Sequence, residues 1–546
     1  MAQTFNRKTQ ADEVAIDSCP VISGYENANP VILIAVDKAF ELENRLTVLD
    51  AINYCRPGII RQINNSLPIV SGGYFVGGVY VLTDGSFLYS YNAITKTLTN
   101  IGTVPFVPGL GNPAIRSCQG GGSSGGINVM FFNQGAGLYY WDGTNLVTVS
   151  MPVASPNMSF PVWQNNGLMC ARTGTADISV ADTGTVPPNF GPSNNDITVR
   201  VTVDSEASDA INGLATFASN ILLAAKRGKI YAIVTDRSVV VANWSRAPVS
   251  TSIGVAEHET MKMVGNSMFF LSESGNGVYS IDYAGGTSIP IISGLKSADI
   301  KPDIERINWN AINTARAITW QGHYLLAVPI DGAIVPNCIL VYSAVRDAWQ
   351  GIWTGKNGDG TPAKWRHFAF NPSALAGSEL LVSFDNGDIG LQTKTVTKLF
   401  NDIDISGTPI SIASHVYSRG FHWDSVPMTP SASGQPYNTQ FLNQVQPYNC
   451  RLRFSKSIAP VDIDLSTESS YISLWRQGLS TTTKKLQLPH NLPWDLDTAG
   501  DKYQQFNIQD ACKSCTEVQV KISGAGDWRL HKIDVTAYVD RTATNT

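Results

Sequence analysis

The sequence predicts an all-β protein, a β-propeller of about six or seven degenerate blades with an additional β-sandwich domain. Its 546 residues include 47 Gly and 28 Pro, the residue types that punctuate short strands and tight turns. Hydrophobic residues make up 43% of the chain, and 12 Trp, 19 Tyr and 20 Phe are present, so the Gly and Pro belong to a folded protein. The third observation is an internal repeat at the spacing of propeller blades.

The repeated unit is a β-hairpin. Residues 128–140 read NVMFFNQGAGLYY and residues 266–279 read NSMFFLSESGNGVY. Each predicts a strand, a Gly turn and a returning strand, and a third short strand follows, which together make most of a blade. We expect Phe131-Phe132 and Phe269-Phe270 to occupy equivalent blade positions, with one Phe of each pair buried.

Weaker copies of the hairpin occupy the regions around these two. They lie roughly 40–60 residues apart, as propeller blades do, at residues 80–91, 168–180, 221–231, 324–342 and 380–391. Two stacked β-sandwiches would also place short strands at regular spacing and stand as the alternative fold. The recurring Met-Phe-Phe and Gly-x-Gly pattern favours one unit used several times.

The regions on either side of the repeats differ from them. Residues 1–60 predict an N-terminal arm, in which residues 37–53 fit a short helix only loosely. The propeller is expected over 61–405. Residues 406–546 are expected to form a C-terminal β-sandwich that also builds a ring, after a Pro- and Ser-rich loop at 425–437.

Charge and the N-terminal sequence limit the classes of function. The formal net charge is −5 with no basic run, which argues against tight binding of nucleic acid through phosphates but not against a channel wall that DNA slides past. The start lacks the apolar core of a secretory signal, and residues 30–36 are too short an apolar run to cross a bilayer. We therefore expect no membrane-spanning segment.

Candidate chemical sites are few. Asp402/Asp404 and Asp462/Asp464 each place two carboxylates on one face of a strand, where they could bind a calcium ion or act as a glycosidase pair; solvated surface residues are the simpler interpretation. Cys512 and Cys515 lack the second pair that a zinc ribbon needs. The Gly-rich run at 120–126 has no Lys and predicts a turn. No catalytic residue, cofactor-binding residue, metal site or cofactor is predicted.

Aromatic residues offer a possible sugar-binding surface. His422 stands in a Phe-His-Trp-Asp sequence that could line a groove or simply pack at a domain junction. Five tryptophans between 309 and 365 could form an exposed row for glycans or fill blade cores: Trp309, Trp320, Trp349, Trp353 and Trp365.

The order of several short motifs resembles a known family. The Arg-Pro-Gly-Ile entry at 56–59 is followed by residues 211–217, 251–254 and 277–281, and by a strand ending in Tyr before Trp349. This succession is similar to the tail hub, or nozzle, proteins of short-tailed bacteriophages.

The resemblance implies a structural virion protein that is not an enzyme. Such proteins are made in the host cytoplasm and form a homohexameric ring below the portal and adaptor proteins. The ring extends the DNA exit channel, through which DNA passes without sequence-specific binding, and attaches tail fibres or spikes. A carbohydrate-binding or carbohydrate-cleaving propeller, and a cellular interaction scaffold, are the rival hypotheses.

Overall fold

The structure, a computed structural model, divides the chain into two compact units. Unit 1 comprises Met1–Arg56, Ala348–Ile352 and Ser411–Thr546, and unit 2 comprises Pro57–Asp347 and Trp353–Ile410. The structure describes residues 13–19, 22–28, 34–35, 37–47, 53–103, 115–121, 128–134, 137–149, 157–182, 187–190, 196–198, 210–283, 290–371, 379–392, 401–421, 445–457, 461–467, 486–487, 502–507, 518–525 and 528–539.

The N-terminal region of unit 1 consists of short strands. They are β1 (Glu13–Cys19), β2 (Gly24–Tyr25), β3 (Lys38–Glu43), β4 (Arg45–Thr47) and β5 (Asn53–Cys55). The helix considered over 37–53 is wrong for the described residues, because β3 and β4 occupy 38–43 and 45–47. The described strands of this region belong to the sheets of unit 1, so they do not form a separate arm.

Within the described residues, unit 2 forms a propeller of seven blades, which confirms the predicted fold class. Five blades are four-stranded antiparallel meanders, and the strands follow one another in chain order. Their strands are β7 (Ser71–Val76), β8 (Val79–Thr83), β9 (Phe87–Asn92), β10 (Thr97–Thr103); β11 (Arg116–Gly121), β12 (Asn128–Gln134), β13 (Gly137–Trp141), β14 (Leu146–Thr148); β15 (Met158–Gln164), β16 (Gly167–Arg172), β17 (Asp177–Val180), β18 (Asp196–Thr198); β19 (Gly213–Ala218), β20 (Ile221–Ala225), β21 (Ile230–Val234), β22 (Arg246–Ser250); and β23 (Lys262–Val264), β24 (Ser267–Ser272), β25 (Gly277–Asp282), β26 (Ile291–Leu295).

The last two blades are built differently. Blade 6 contributes β27 (Arg316–Trp320), β28 (His323–Val328) and β29 (Cys338–Ser343) to unit 2; the next strand, β30 (Ala348–Trp353), has its first five residues in unit 1. Blade 7 contains β31 (Trp365–Asn371), β32 (Glu379–Phe384) and β33 (Asp388–Gln392), and its fourth strand is β6 (Ile60–Asn64) from the start of the unit. Two short strands, β34 (Asn401–Ile403) and β35 (Pro409–Ser411), extend this sheet.

The pairing of β6 with β33 closes the propeller. Ile63 lies opposite Ile389 and Ile60 lies opposite Leu391 in an antiparallel register. The buried Arg61 guanidinium donates to the Asp388 carboxylate at 2.6 Å. Joining the two ends of the unit in one sheet leaves no open gap in the ring of blades, which protects strand edges that would otherwise be exposed.

Contacts between innermost strands also form a closed circle. β7 contacts β11, which contacts β15, and β15 contacts β19; β23 contacts β27, which contacts β31, and β31 returns to β7. The short 3₁₀-helix His258–Thr260 contacts β19 and leads into β23. Other described helical turns are Val241–Asn243, Ala298–Ile300, Trp309–Thr314 and the α-helix α1 (Lys301–Glu305).

The repeat that predicts the propeller corresponds to real structural equivalence. Phe132 lies opposite Tyr139 between β12 and β13, and Phe270 lies opposite Tyr279 between β24 and β25. Both Phe residues of each pair are buried, so the expectation that one of each pair is buried understates the packing. The second strand of a blade is covered on both faces because neighbouring blades stack against it.

The remaining strands of unit 1 complete two sheets of the β-sandwich. They are β36 (Ala413–Ser418), β37 (Val445–Ser457), β38 (Val461–Thr467), β39 (Leu486–Gln487), β40 (Lys502–Asn507), β41 (Val518–Ala525) and β42 (Trp528–Val539). One sheet has the order β4-β5-β42-β37-β40 with β1 paired to β42, and in the other β3, β36, β41, β38 and β39 follow one another. Apolar side chains of both sheets are buried, among them Leu42, Val416 and Ile522, and Ile533 and Val535.

Candidate functional site

Charged side chains converge where the innermost strands of the propeller begin. Because buried charge is costly unless it is paired, this group is the feature of unit 2 that needs a physical explanation. We call this group the axial cluster; it consists of Arg116, Glu257, His258, Glu259, Lys262, Arg316 and His367.

The cationic side chains of this cluster are positioned by the starts of inner strands. Arg116, Lys262 and Arg316 are the first residues of β11, β23 and β27, and His367 is the third residue of β31. The acidic members come from the turn before β23, where Glu257 precedes a 3₁₀-helix and its carboxylate accepts the Glu259 backbone N–H. Residues far apart in sequence therefore meet because blades 2, 5, 6 and 7 contribute residues near the start of their inner strands.

Ion pairs join these groups across blades. The Arg116 guanidinium pairs with the Glu257 carboxylate, and both side chains are almost fully buried. Glu259 lies between two cations, with its Oε2 3.1 Å from Lys262 Nζ and its Oε1 3.8 Å from Arg116 Nε. Blades 2 and 5 are thus connected across the centre of the propeller.

Both histidines of the cluster are neutral at pH 7. Desolvation lowers the pKa of His258 to about 3 and that of His367 to about 4. His258 Nδ1 accepts the Leu214 N–H at 3.3 Å, and His367 Nε2 lies 3.1 Å from the Gly72 carbonyl oxygen, to which it donates as the neutral tautomer. Their rings therefore act as hydrogen-bonding spacers between blades 4 and 5 and between blades 7 and 1.

Two backbone features accommodate these rings. Gly72 has a φ of 140°, and a Cβ atom there would lie only 2.3 Å from the Val81 carbonyl oxygen. A larger residue therefore could not adopt the backbone conformation that presents the Gly72 carbonyl oxygen to His367. Phe160 has a φ of 54°, in the left-handed region that bulky residues rarely adopt, at a bulge of β15. Its ring centroid lies 5.0 Å from that of His258, so blade 3 also reaches the cluster.

The pKa values of the two carboxylates are shifted in opposite directions, although burial acts on both in the same way. Burial raises the pKa of Glu257, and its neighbour Arg116 only partly offsets this effect. Burial also acts to raise the pKa of Glu259, but the positive charges of Lys262 and Arg116 outweigh it and hold that pKa well below its usual range. Glu259 is consequently a permanent anion fixed between cations, which suits a structural tie better than proton transfer.

Arg316 differs from the other cations of the cluster. Its Nη1 donates to the main-chain oxygens of Asn313 at 3.0 Å and Ala315 at 2.7 Å. Among the described residues it forms no ion pair with a carboxylate within 4.0 Å, although Glu257 and Glu259 are near enough to act on it electrostatically. Burial, together with repulsion from Arg116, lowers its pKa to about 10, so it remains charged at pH 7.

The carboxylate pair Asp402/Asp404 does not form a shared site. Asp402 is buried, and its Oδ1 accepts the backbone N–H of Ile59 at 2.9 Å. Asp404 caps its own turn by accepting from the Ser406 hydroxyl at 2.7 Å and the Thr408 N–H at 2.8 Å. In the part of the chain that the structure describes, no group of three or more His, Cys, Asp or Glu residues could hold a metal ion.

The expectation that the tryptophans could form an exposed row is wrong for four of the five. Trp320, Trp349, Trp353 and Trp365 are at most 2% exposed. Trp320 packs edge-on against Trp353 with ring centroids 6.2 Å apart, and Trp365 packs on Phe384 at 5.1 Å. These indoles fill apolar cores and offer no platform to a sugar.

Other sequence candidates lie outside the described residues. These are His422, Cys512, Cys515 and residues 122–126 of the Gly-rich run, together with the side chains of Asp462 and Asp464. The backbone of the last pair is described, and it places Asp462 opposite Ser523 and Asp464 opposite Lys521.

Sequence reasoning missed the axial cluster. Apart from the segment 257–262, its members are isolated along the chain, and each of them looks like an ordinary charged residue near a strand end. The signal that the sequence did offer is the Glu-His-Glu run at 257–259. It places three titratable residues shortly before the apolar strand of a predicted blade.

Comparisons with known proteins assign this chain to no family. No family model and no curated protein matches the chain. A chain in a crystal structure of the mitotic checkpoint complex is similar over 61% of this chain and 92% of its own length, with 10% identity and a TM-score of 0.37. The computationally designed Ika8 protein is similar over 62% of this chain and 99% of its own length, with 9% identity and a TM-score of 0.35. Neither likeness bears on function.

Among the described residues, the structure contains no helix that is long and apolar enough to span a membrane.

Proposed function

We propose that this chain is a non-enzymatic structural protein of a bacteriophage tail. It forms a homo-oligomeric ring, hexameric as in the tail hub proteins that its motifs resemble, which extends the DNA exit channel below the portal and adaptor and attaches tail fibres or spikes. The protein is synthesised in the cytoplasm of the bacterial host and is located in the virion tail.

The observation that carries the structural role is the use of the axial charges. In propeller enzymes the centre is where substrate and catalytic groups meet. Here the Glu257 carboxylate is engaged by Arg116 of blade 2, and the Glu259 carboxylate by Lys262 of blade 5. Groups tied in this way stabilise one arrangement of blades and are poorly suited to take up and release protons. Such a propeller supports a rigid building block.

The assignment to a phage tail rests on the order of short motifs between residues 56 and 349 and on the pairing of a propeller with a β-sandwich. A closed propeller leaves its rims available for other subunits, because its strand edges are short and protected. A ring then requires only one heterologous interface between neighbouring subunits, repeated by the same rotation until the ring closes. The net charge of −5, without a basic run, suits a channel that DNA crosses without being held.

The rival function, binding or cleavage of carbohydrate, has less support. It would need exposed aromatic platforms and paired carboxylates on one propeller face. Four of the five candidate tryptophans are buried. Asp402 accepts the backbone N–H of the distant Ile59, and Asp404 accepts that of Thr408 in its own turn.

Negative-stain electron microscopy of the purified full chain, alone and with adaptor protein, tests the proposal. We expect rings of uniform diameter, formed by the protein alone or once the adaptor is added. A monodisperse monomer that joins no adaptor complex would contradict the proposed role. Turnover of oligosaccharides by the same preparation would instead support the rival function.

A further inference from the structure

The axial cluster contains one more cation than it has carboxylates. Arg116, Lys262 and Arg316 supply three positive charges, Glu257 and Glu259 supply two negative charges, and both histidines are neutral. The nearby Arg366 adds no net charge because it pairs with Asp385 at 2.7 Å. The Arg316 side chain is only part-buried, so a counter-charge from solvent can reach the surplus cation and neutralise it.

The surplus can be assigned to particular donors. Arg116 directs its Nη2 to Glu257. Its buried Nε lies 3.8 Å from Glu259 Oε1, too far for a hydrogen bond, and has no hydrogen-bond acceptor among the described residues. Arg316 uses Nη1 for two main-chain oxygens, and no described acceptor binds its Nε or Nη2. Two guanidinium groups that act on each other electrostatically thus both retain unused donors.

Guanidinium donors at close quarters suit one class of ligand. Their fixed, planar N–H groups match the oxygen atoms of carboxylates and phosphates. Lys262 lies at the rim of the cluster with 29% of its side chain exposed, where it can attract an anion from solvent. The neutral His258 and His367 add no charge of their own and keep the site compact.

We infer that the axial cluster of the propeller binds a single small oxyanion, a phosphate or a carboxylate, between Arg116 and Arg316. The bound anion neutralises the surplus charge and adds a link between blades 2 and 6. This inference goes beyond the proposed tail function and is independent of it, because it concerns one propeller whether or not rings form.

Isothermal titration calorimetry of the full chain with inorganic phosphate and, separately, with acetate tests the inference at constant chloride concentration. We expect binding of one anion per chain, and the two titrations distinguish a phosphate site from a carboxylate site. Arg316→Gln should weaken binding about tenfold or more, the value of a charge-assisted hydrogen bond, while Arg316→Lys should retain part of it. Glu259→Gln, which increases the surplus, should tighten binding.

The matched control is Arg227→Gln, which removes the same unit of charge from a guanidinium that is 73% exposed on the propeller surface. It should bind the anion as the unchanged protein does. If Arg316→Gln fails to fold, Lys262→Gln gives the same test at a part-exposed position and should weaken binding severalfold. Absence of binding by the unchanged protein, or equal weakening by Arg227→Gln, would overturn the inference.

Discussion

Buried histidines in the two units have pKa values that are shifted in opposite directions. In the propeller, His367 has its ring among mixed charges and donates to a main-chain oxygen, and its pKa falls to about 4. In the sandwich unit, His415 lies between two carboxylates, with Nε2 3.2 Å from Glu41 and Nδ1 3.2 Å from Glu43. Desolvation acts to lower the pKa of His415 too, but hydrogen bonds and charge from both glutamates outweigh it and raise the pKa to about 9.

The comparison shows that the partner, more than burial itself, decides the charge state. His415 reaches its partners because Glu43 lies directly opposite it on the neighbouring strand. In the axial cluster the available carboxylates are already bound to Arg116 and Lys262. The propeller therefore uses neutral imidazoles where the sandwich uses an imidazolium.

The largest expected effect concerns the buried ion pair between Arg116 and Glu257. Arg116→Leu leaves the buried Glu257 carboxylate without its cation, and we expect a loss of about 3–5 kcal/mol in the free energy of unfolding. Chemical denaturation measures the loss. Arg306→Leu, which breaks ion pairs of an arginine 43% exposed, is the control and should cost no more than about 1 kcal/mol. Equal losses would mean that the axial pair is no more important than a surface one.

A somewhat smaller effect should appear in acid. The native pKa of His367 is depressed, so between about pH 6.5 and pH 4 the unfolded chain binds a proton that the native state does not. Stability attributable to this residue is present above pH 6.5 and decreases by about 3 kcal/mol toward pH 4. His367→Gln, which can still donate to Gly72, should reduce the acid dependence by that amount in denaturation measured at both pH values. An unchanged dependence would show that His367 protonates normally.

The smallest of these effects should appear in alkali, with the opposite sign. The native pKa of His415 is raised, so its stabilising contribution is complete below pH 6.5 and disappears as the pH rises through about 9. We expect about 2 kcal/mol after allowance for the solvent exposure of Glu41. Hydrogen exchange in β36 should become faster over this range in the native sequence but not in His415→Gln. The same slope in both proteins would contradict the assigned ion pairs.

Much of the propeller could be predicted because blade signals are local. All seven hairpins inferred from the sequence are the second and third strands of observed blades, and Phe132 and Phe270 are equivalent as expected. The closure of blade 7 by β6 could not be predicted. Asn64 and Asp388 are 324 residues apart, and nothing in either short strand identifies the other as its partner.

Other features were missed or misread because they depend on three-dimensional contacts. In the sequence, tryptophans near turns are equally consistent with a glycan-binding platform and with a hydrophobic core. Only their packing, such as that of Trp320 on Trp353, distinguishes the two. The loosely helical pattern at 37–53 was overridden by strand pairing, since β3 (Lys38–Glu43) pairs with β36 (Ala413–Ser418), a strand far away in the sequence. Arg116 and Glu257 form an ion pair across 141 residues of sequence.

Titration of selectively ¹³C-labelled histidines by nuclear magnetic resonance measures the charge state of each ring directly. We predict that His258 and His367 stay neutral until the pH falls to about 3 and 4, while His415 stays protonated until the pH rises to about 9. Assignment by single His→Gln variants identifies each signal. Titration of all three residues close to pH 6.5 would contradict both the axial cluster and the His415 ion pairs.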